Sequence, residues 1–164
     1  VKQVVFPIEI LPVKAVLSSL LTQFVAMTLL LAYSLLSMGD VPWTYLLLPL
    51  ALIMQLMLMT GISFMLASVG AYFRDLKDIV QIFAVAGPFL IPAFYLPNQI
   101  PTLFRPILYC NPFTYMVWVY QDVIYYGRIE HPWAWPTFFT IALATFVIGY
   151  KLFRKVKTMF GNVL

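Results

Sequence analysis

Few side chains of this chain could act as an acid, a base or a metal ligand, and all of them lie outside the centres of its long apolar runs. The candidates for acid–base chemistry are Asp122, Glu130 and His131, together with Asp40. His131 is the single histidine and directly precedes Pro132, which favours a loop residue over a metal ligand. An enzyme would need one of these groups at its active site.

Other kinds of chemistry are missing from the sequence. Ion-coupled carriers and intramembrane hydrolases place ionisable groups at membrane depth, whereas the apolar runs here have none in their central parts. The GxxxxGK[ST] loop that binds nucleotide phosphates does not occur either. Cys110 is the single cysteine, so it cannot form an internal disulfide and is best read as a small apolar filler. A translocator of this composition would need a separate motor subunit.

Long uncharged stretches must position these few groups. Hydrophobic residues make up 63% of the chain and charged residues 10%, which is typical of an integral membrane protein. The stretches are long enough to predict four spans, at residues 13–38, 43–73, 79–97 and 133–153. We therefore predict an all-α integral membrane protein with four transmembrane helices in a single transmembrane domain, plus short re-entrant helices on the outer side.

The distribution of positive charge supports four crossings. With four spans, eight of the ten Lys and Arg residues share one side: Lys2, Lys14, Arg74, Lys77, Lys151, Arg154, Lys155 and Lys157. The positive-inside rule then places both ends of the chain in the cytoplasm. The remaining apolar run, Pro106–Gln121, is short and interrupted by Pro112, so we predict that residues 98–127 form a re-entrant or interfacial hairpin on the outer side.

This outer hairpin has an unusual composition. Ten of the 33 residues from Phe94 to Tyr126 are aromatic, and six prolines lie between Pro88 and Pro112. Irregular backbone at membrane depth is tolerated where protein buries it or where it lines a wet cavity, which suggests the outer mouth of a pathway. Tyr and Trp faces also suit the C–H faces of sugar rings. An aromatic belt that contacts lipid headgroups would have the same composition, so both interpretations stay open.

Two short segments on the inner side are candidate docking surfaces. Residues 1–12, VKQVVFPIEILP, are too polar to span the membrane and too apolar for a solvated linker. They fit an interfacial or protein-docking segment and a turn that leads into the membrane equally well. In the loop FRDLKD, Arg74 could pair with Asp78 in a tight solvated turn, and a partner contact is the alternative. The net charge of +4 fits anchoring at anionic lipid and does not suggest nucleic acid.

The motifs FPIEILP, YFRDLKDIV, NPFTYMV and KLFRKVKTMFGNVL occur in this order, with a Pro-broken span between the second and the third. In this order, and over nearly the whole chain, they resemble ABC exporter permeases of the polysaccharide class, which export O-antigen, capsule or teichoic acid chains. Members of that family have six membrane helices. The resemblance implies that this chain corresponds to the last four and lacks an N-terminal part, in agreement with its start at Val1.

The resemblance also implies roles for particular residues. It implies contact with the ATPase subunit at Phe6, Pro7, Glu9 and Pro12, and a smaller contact at Arg74 and Asp75. It implies outer gate helices with Asn111 and Pro112 at their junction. Positions that could contact the sugar chain are Phe94, Tyr95, Tyr109, Phe113, Tyr115 and Trp118.

The assembly implied by the resemblance is a permease homodimer with two ABC ATPase subunits in the cytoplasmic (inner) membrane, moving a lipid-linked polysaccharide through the bilayer. ATP and Mg would belong to the ATPase, and this chain would contain no catalytic residue, cofactor or metal. Two alternatives remain open. One is a permease of the same fold that exports drugs or lipids, and the other is a membrane enzyme or assembly factor of cell-envelope sugars.

Overall fold

A computed structural model describes residues 10–39, 41–73, 75–93 and 105–161 of the chain. The described elements are α1 (Ile10–Met38), a 3-10 turn (Trp43–Leu47), α2 (Leu48–Gly70), α3 (Leu76–Ala86), a second 3-10 turn (Gly87–Leu90), α4 (Arg105–Cys110), α5 (Pro112–Tyr120), a π-helical segment (Gln121–Tyr126) and α6 (Ala134–Gly161). These elements are all helical, and no strand occurs in the described part of the chain. The predicted all-α fold class is confirmed.

Among the residues that the structure describes, three helical stretches are long and apolar enough to cross a membrane: Ile10–Ser37, Trp43–Gly70 and Ala134–Thr158. α3 and the 3-10 turn after it run from Leu76 to Leu90, a length of about 24 Å against a hydrocarbon core of about 30 Å. The last residues of the third predicted span, 94–97, lie outside the described residues. Its crossing of the bilayer stays a prediction.

Contacts between helices show that the described chain starts and finishes at one end of the bundle. The Ser63 hydroxyl donates to the carbonyl oxygen of Pro12, at the start of α1, over 3.3 Å. Next to Ser63 on α2, the Phe64 ring packs against the ring of Phe153, near the end of α6, with centroids 5.2 Å apart. We call this the terminal end. The basic side chains of α1 and of the second half of α6 lie towards it: Lys14, Lys151, Arg154, Lys155 and Lys157.

α4, α5 and the π-helical segment gather at the opposite end, and residues 105–126 are called the hairpin below. The Thr44 hydroxyl, just before α2, donates to the carbonyl oxygen of Val123 in the hairpin over 2.8 Å. Residues 76–93, which contain α3 and the 3-10 turn after it, are called the third helical segment below. The Asn111 side chain donates to the carbonyl oxygen of Leu90 over 3.2 Å, so the third helical segment also reaches this end. We call it the hairpin end.

The central packing pair is α2 and α6, which approach each other through two glycines. A Cβ atom built on Gly149 would lie 2.3 Å from the carbonyl oxygen of Gly61, so the two backbones are in direct contact. Membrane helices pack in this way because small residues allow close van der Waals contact where no hydrophobic force acts between helices. The buried core extends from this pair to the hairpin and contains Ala51, Met54, Leu58, Leu108, Trp118, Val119, Ala134, Phe138 and Ala142.

Candidate functional site

The junction between α4 and α5 is formed by Asn111 and Pro112. Asn111 has an extended backbone, and its Oδ1 accepts a hydrogen bond from the amide of Phe113 over 3.0 Å, which caps the N-terminus of α5. Pro112 fits the first turn of α5, where a backbone N–H has no helical acceptor. The other side-chain atom of Asn111, Nδ2, donates to Leu90. One residue therefore begins α5 and ties it to the third helical segment.

Gln121 makes a second tie of the same kind. Its Nε2 donates to the carbonyl oxygen of Pro92 over 3.0 Å, two residues beyond the carbonyl that Asn111 binds. Helix ends leave carbonyls without intrahelical donors, and such groups are costly at membrane depth. The side-chain amides of Asn111 and Gln121 in the hairpin donate to two such carbonyl oxygens of the third helical segment. These two bonds fix the hairpin against the end of that segment.

Asp122 is fully buried and accepts hydrogen bonds from three donors. Its Oδ1 lies 2.8 Å from His131 Nδ1, and its Oδ2 accepts from the His131 amide and from Trp135 Nε1, both over 3.1 Å. A buried carboxylate is stable when its oxygens are satisfied in this way. Asp122 therefore joins the hairpin to the loop before α6 and to the first turn of α6.

An aromatic cluster covers this carboxylate. The Trp118 ring stacks on His131 with centroids 5.4 Å apart and planes 9° apart, and it meets Trp133 edge-on at 4.8 Å. Tyr109 and Tyr115 pack against the same two tryptophans, and the Tyr115 hydroxyl donates to the Tyr109 carbonyl oxygen over 2.6 Å. Trp118 is only 1% exposed, so it supports the hairpin from inside in this conformation. Tyr109 and Trp133, which are 46% and 43% exposed, are the accessible rings of this face.

The other face of the hairpin borders a cavity of about 670 Å³. Asn111, Pro112 and Phe113 line it from the hairpin, together with Cys110, and Leu90 is among the lining residues of the third helical segment. The predicted gate residues are thus divided between two faces. Tyr109, Tyr115 and Trp118 form the aromatic face, and the junction residues form the cavity face.

A polar network at membrane depth links α1, α2 and α5. Gln23 and Gln55 exchange two side-chain hydrogen bonds of 2.8 and 2.9 Å, and the Tyr120 hydroxyl donates to Oε1 of Gln55. Side-chain hydrogen bonds of this kind hold membrane helices together. The network positions α5, and therefore the hairpin, against the first two long helices.

Several predicted site residues lie outside the described residues: Phe6, Pro7, Glu9, Arg74, Phe94 and Tyr95. Pro12 is buried at the start of α1, where its carbonyl contacts Ser63. Asp75 is exposed and immediately precedes α3. Their roles in ATPase contact stay predictions. No group of three or more His, Cys, Asp or Glu side chains that could hold a metal ion occurs among the described residues.

Sequence reasoning missed the polar anchors of the hairpin: Gln121, the Gln23–Gln55 pair, and Trp135 as a donor to Asp122. One signal was available, because amides and carboxylates inside apolar runs need partners. The sequence alone could not identify these partners, because the two residues of each hydrogen-bonded pair are separated by 13 to 65 positions in the chain.

Helices that span a membrane, with an irregular hairpin held between them at one end, define a polytopic α-helical membrane subunit. The model of the ABC-2 type transporter family matches residues 2–125, which is most of the chain. The chain therefore belongs to the ABC-2 type transporter family.

Its relatives carry a more specific name. The chain is 26% identical over 168 aligned positions to the O-antigen export system permease protein RfbA of Klebsiella pneumoniae, with all of the chain and 63% of that protein covered. It is 27% identical over 127 positions to the O-antigen export system permease protein RfbA of Myxococcus xanthus, with 76% of the chain and 48% of that protein covered. The chain thus spans less than two thirds of the length of these relatives.

Proposed function

We propose that the protein is the membrane-spanning permease subunit of an ABC exporter that moves lipid-linked polysaccharide, of the O-antigen type, across the cytoplasmic membrane. Membership of the ABC-2 transporter family and similarity to relatives named as O-antigen export permeases support this proposal. The observation that carries it is structural. A hairpin with an aromatic face lies at one end of a bundle, and the basic residues of α1 and of the second half of α6 lie towards the other end.

The proposed assembly contains two copies of the permease and two ATPase subunits. The ATPase subunits bind ATP and Mg and contact the terminal end through residues 1–12 and the loop at Asp75. Closure of the ATPase dimer on ATP moves these contacts, the spans shift, and the lipid-linked chain passes outward beside the hairpin. Both ends of this chain are then cytoplasmic, which agrees with the basic residues at the terminal end.

The aromatic face suits a repeating polymer. Tyrosine and tryptophan rings offer flat apolar surfaces with polar rims to the C–H faces of sugars. The Tyr115 hydroxyl donates to the Tyr109 carbonyl oxygen, and both tyrosine rings pack against the buried Trp118 and the exposed Trp133. Many weak and similar contacts let a chain slide without being locked in one pose.

The burial of Asp122 supports transport over sugar-transfer chemistry. Its carboxylate has no exposed surface and accepts from three donors, so a substrate has no access to it in this conformation. Glu130 is exposed and forms an ion pair with Arg128 over 2.9 Å. An enzyme that acts on lipid-linked sugars would need one of these groups beside a bound substrate.

The test reverses a charge at the proposed ATPase contact. Glu9→Arg, or Pro7→Asp, should abolish polysaccharide export while the permease remains in the membrane. Glu130→Arg is the matched control, because it makes the same reversal at the exposed surface of the hairpin end. Export at the normal rate in both contact variants would refute the docking assignment.

One observation favours a hydrophobic cargo as the second candidate. The cavity between the third helical segment and the hairpin is lined mainly by apolar side chains, including Phe83, Ile91 and Met116. Replacing both Tyr109 and Tyr115 by Leu separates the two candidates. Export of a polysaccharide should fall, whereas export of a drug or lipid should continue.

A further inference from the structure

We propose that the π-helical segment is the anchor that holds the hairpin in place, and that Asp122 is its main positioning residue. Residues 121–124 are consecutive, and each forms a hydrogen bond to a different part of the chain. The inference deepens the proposed function, since it rests on the hairpin being the part beside which the cargo passes.

The first two bonds use side chains of the segment. Gln121 donates to the carbonyl oxygen of Pro92, at the end of the third helical segment, over 3.0 Å. Asp122 accepts from the His131 ring and amide and from Trp135, at distances of 2.8 to 3.1 Å. The hairpin is thereby joined to the element before it and to the helix after it.

The other two bonds use backbone carbonyls of the segment. The Thr44 hydroxyl donates to Val123 over 2.8 Å, and the Ser34 hydroxyl on α1 makes a longer bond of 3.5 Å to Ile124. Tyr45 holds that serine in place by donating to its oxygen over 2.9 Å. A π-helical turn is wider than an α-helical turn, and such turns occur frequently at functional sites.

Burial shows that the π-helical segment is tightly packed against the rest of the protein. Asp122 and Val123 have no exposed surface, and Ile124 is 8% exposed. α4, at the other end of the hairpin, buries Leu108 alone among its six residues. The hairpin therefore has a held half, at α5 and the π-helical segment, and a lightly packed half at α4. We infer that α4 is the part that moves when cargo passes, while the held half stays with α6.

The geometry at Asp122 predicts which substitutions release the anchor. Asp122→Ala removes the carboxylate oxygens and leaves two partly buried donors, Trp135 Nε1 and the His131 amide, without this acceptor. Asp122→Asn keeps an oxygen for these two donors and turns its amide towards His131 Nδ1, which accepts in the other ring tautomer. A positioning role through hydrogen bonds therefore tolerates Asn and does not tolerate Ala.

The experiment is hydrogen–deuterium exchange on the full-length permease in lipid nanodiscs. In Asp122→Ala, exchange of residues 112–133 should rise about tenfold, because two partly buried donors lose the buried carboxylate that accepts from them. Asp122→Asn should stay within about threefold of the parent. Glu130→Ala removes an exposed carboxylate nearby and should change nothing. The central parts of α2 and α6 should exchange as in the parent in every variant.

Gln121→Met is the second variant, in case Asp122→Ala does not fold. It removes one donor and should raise exchange in the hairpin without changing α2 and α6. Equal exchange in Asp122→Ala and the parent would overturn the proposal. So would equally fast exchange in the Asn and Ala variants, or faster exchange throughout the bundle. The measurement uses neither cargo nor ATPase, so a failure of the exporter assignment leaves its result unchanged.

Discussion

Gly61 and Gly149 bring the backbones of α2 and α6 into direct contact, and neither position has room for a side chain. A Cβ atom on Gly61 would lie 2.6 Å from backbone atoms of Thr145 and Phe146, and one on Gly149 would lie 2.3 Å from the Gly61 carbonyl oxygen. Backbone atoms cannot move aside as the end of a flexible side chain can. This contact fixes the distance between α2 and α6, the two helices against which the hairpin packs.

Gly61→Ala and Gly149→Ala should each destabilise the protein by roughly 1–3 kcal/mol, because the added methyl group forces α2 and α6 apart. The midpoint of thermal unfolding in detergent, read by size-exclusion chromatography after heating, measures this loss. Gly70→Ala is the matched control on α2, since its Cβ would meet only a Leu76 methyl group at 3.5 Å. A Gly149→Ala protein as stable as the control would contradict the close contact.

Gln55→Leu should cost more stability than Gln23→Leu. Gln55 takes part in three hydrogen bonds, two with Gln23 and one from Tyr120, whereas both bonds of Gln23 are with Gln55. Bonds of this kind between membrane helices average about 0.6 kcal/mol each. In the double variant the two effects should be less than additive, as a double-mutant cycle of unfolding free energies would show. Strict additivity would mean that the two amides do not interact.

Two fully buried threonines should respond in opposite ways to the same substitution. Thr44 donates to the Val123 carbonyl oxygen, whereas the Thr114 hydroxyl has no hydrogen-bond partner among the described residues. Replacement by Val, which has nearly the same shape, should lower stability by about 1 kcal/mol or more at Thr44. At Thr114 it should leave stability unchanged or raise it, because an unsatisfied buried hydroxyl is removed. The comparison of the two unfolding midpoints is the measurement, and losses of equal size would contradict it.

Asn111 has two tasks that substitution can separate. Asn111→Ala removes the cap of α5, at a cost of about 1 kcal/mol, and also the bond to Leu90. Asn111→Asp keeps an oxygen for the Phe113 amide but replaces the donor to Leu90 by a second acceptor. The Asp variant should therefore retain helical α5 while the contact with the third helical segment loosens. Hydrogen exchange resolved by segment tests this, and protection around residues 87–93 equal to that of the parent would refute it.

The long helices could be predicted from the sequence for a physical reason. A bilayer satisfies no backbone hydrogen bond, so an uncharged run of sufficient length must be a helix. The apolar runs that make up most of α1, α2 and α6 could be recognised without knowing which helices pack beside them. The junction at Asn111 and Pro112 was implied by the resemblance to the exporter permeases, and its residue types suit a helix start.

The packing could not be predicted in this way. Nothing in a single sequence pairs Gly61 with Gly149, or Gln23 with Gln55, since small and amide residues occur elsewhere in the same runs. Asp122 and His131 were both noted for their chemistry, but their pairing depends on the path of the loop between them. Trp118 was one of several positions that could contact a sugar chain, and its burial follows from the approach of Trp133 and the His131 ring.

α3 buries no side chain among the described residues, whereas α2 and α5 each bury several. At its N-terminal end, α3 is connected to α2, which ends at Gly70. Beyond its C-terminal end, the carbonyl oxygens of Leu90 and Pro92 accept hydrogen bonds from the Asn111 and Gln121 side chains. A helix that is held at both ends and buries no side chain between them bends most easily near its middle. A displacement of the first residues of α3 would therefore move the middle of the helix sideways, at a distance from the residues that were displaced.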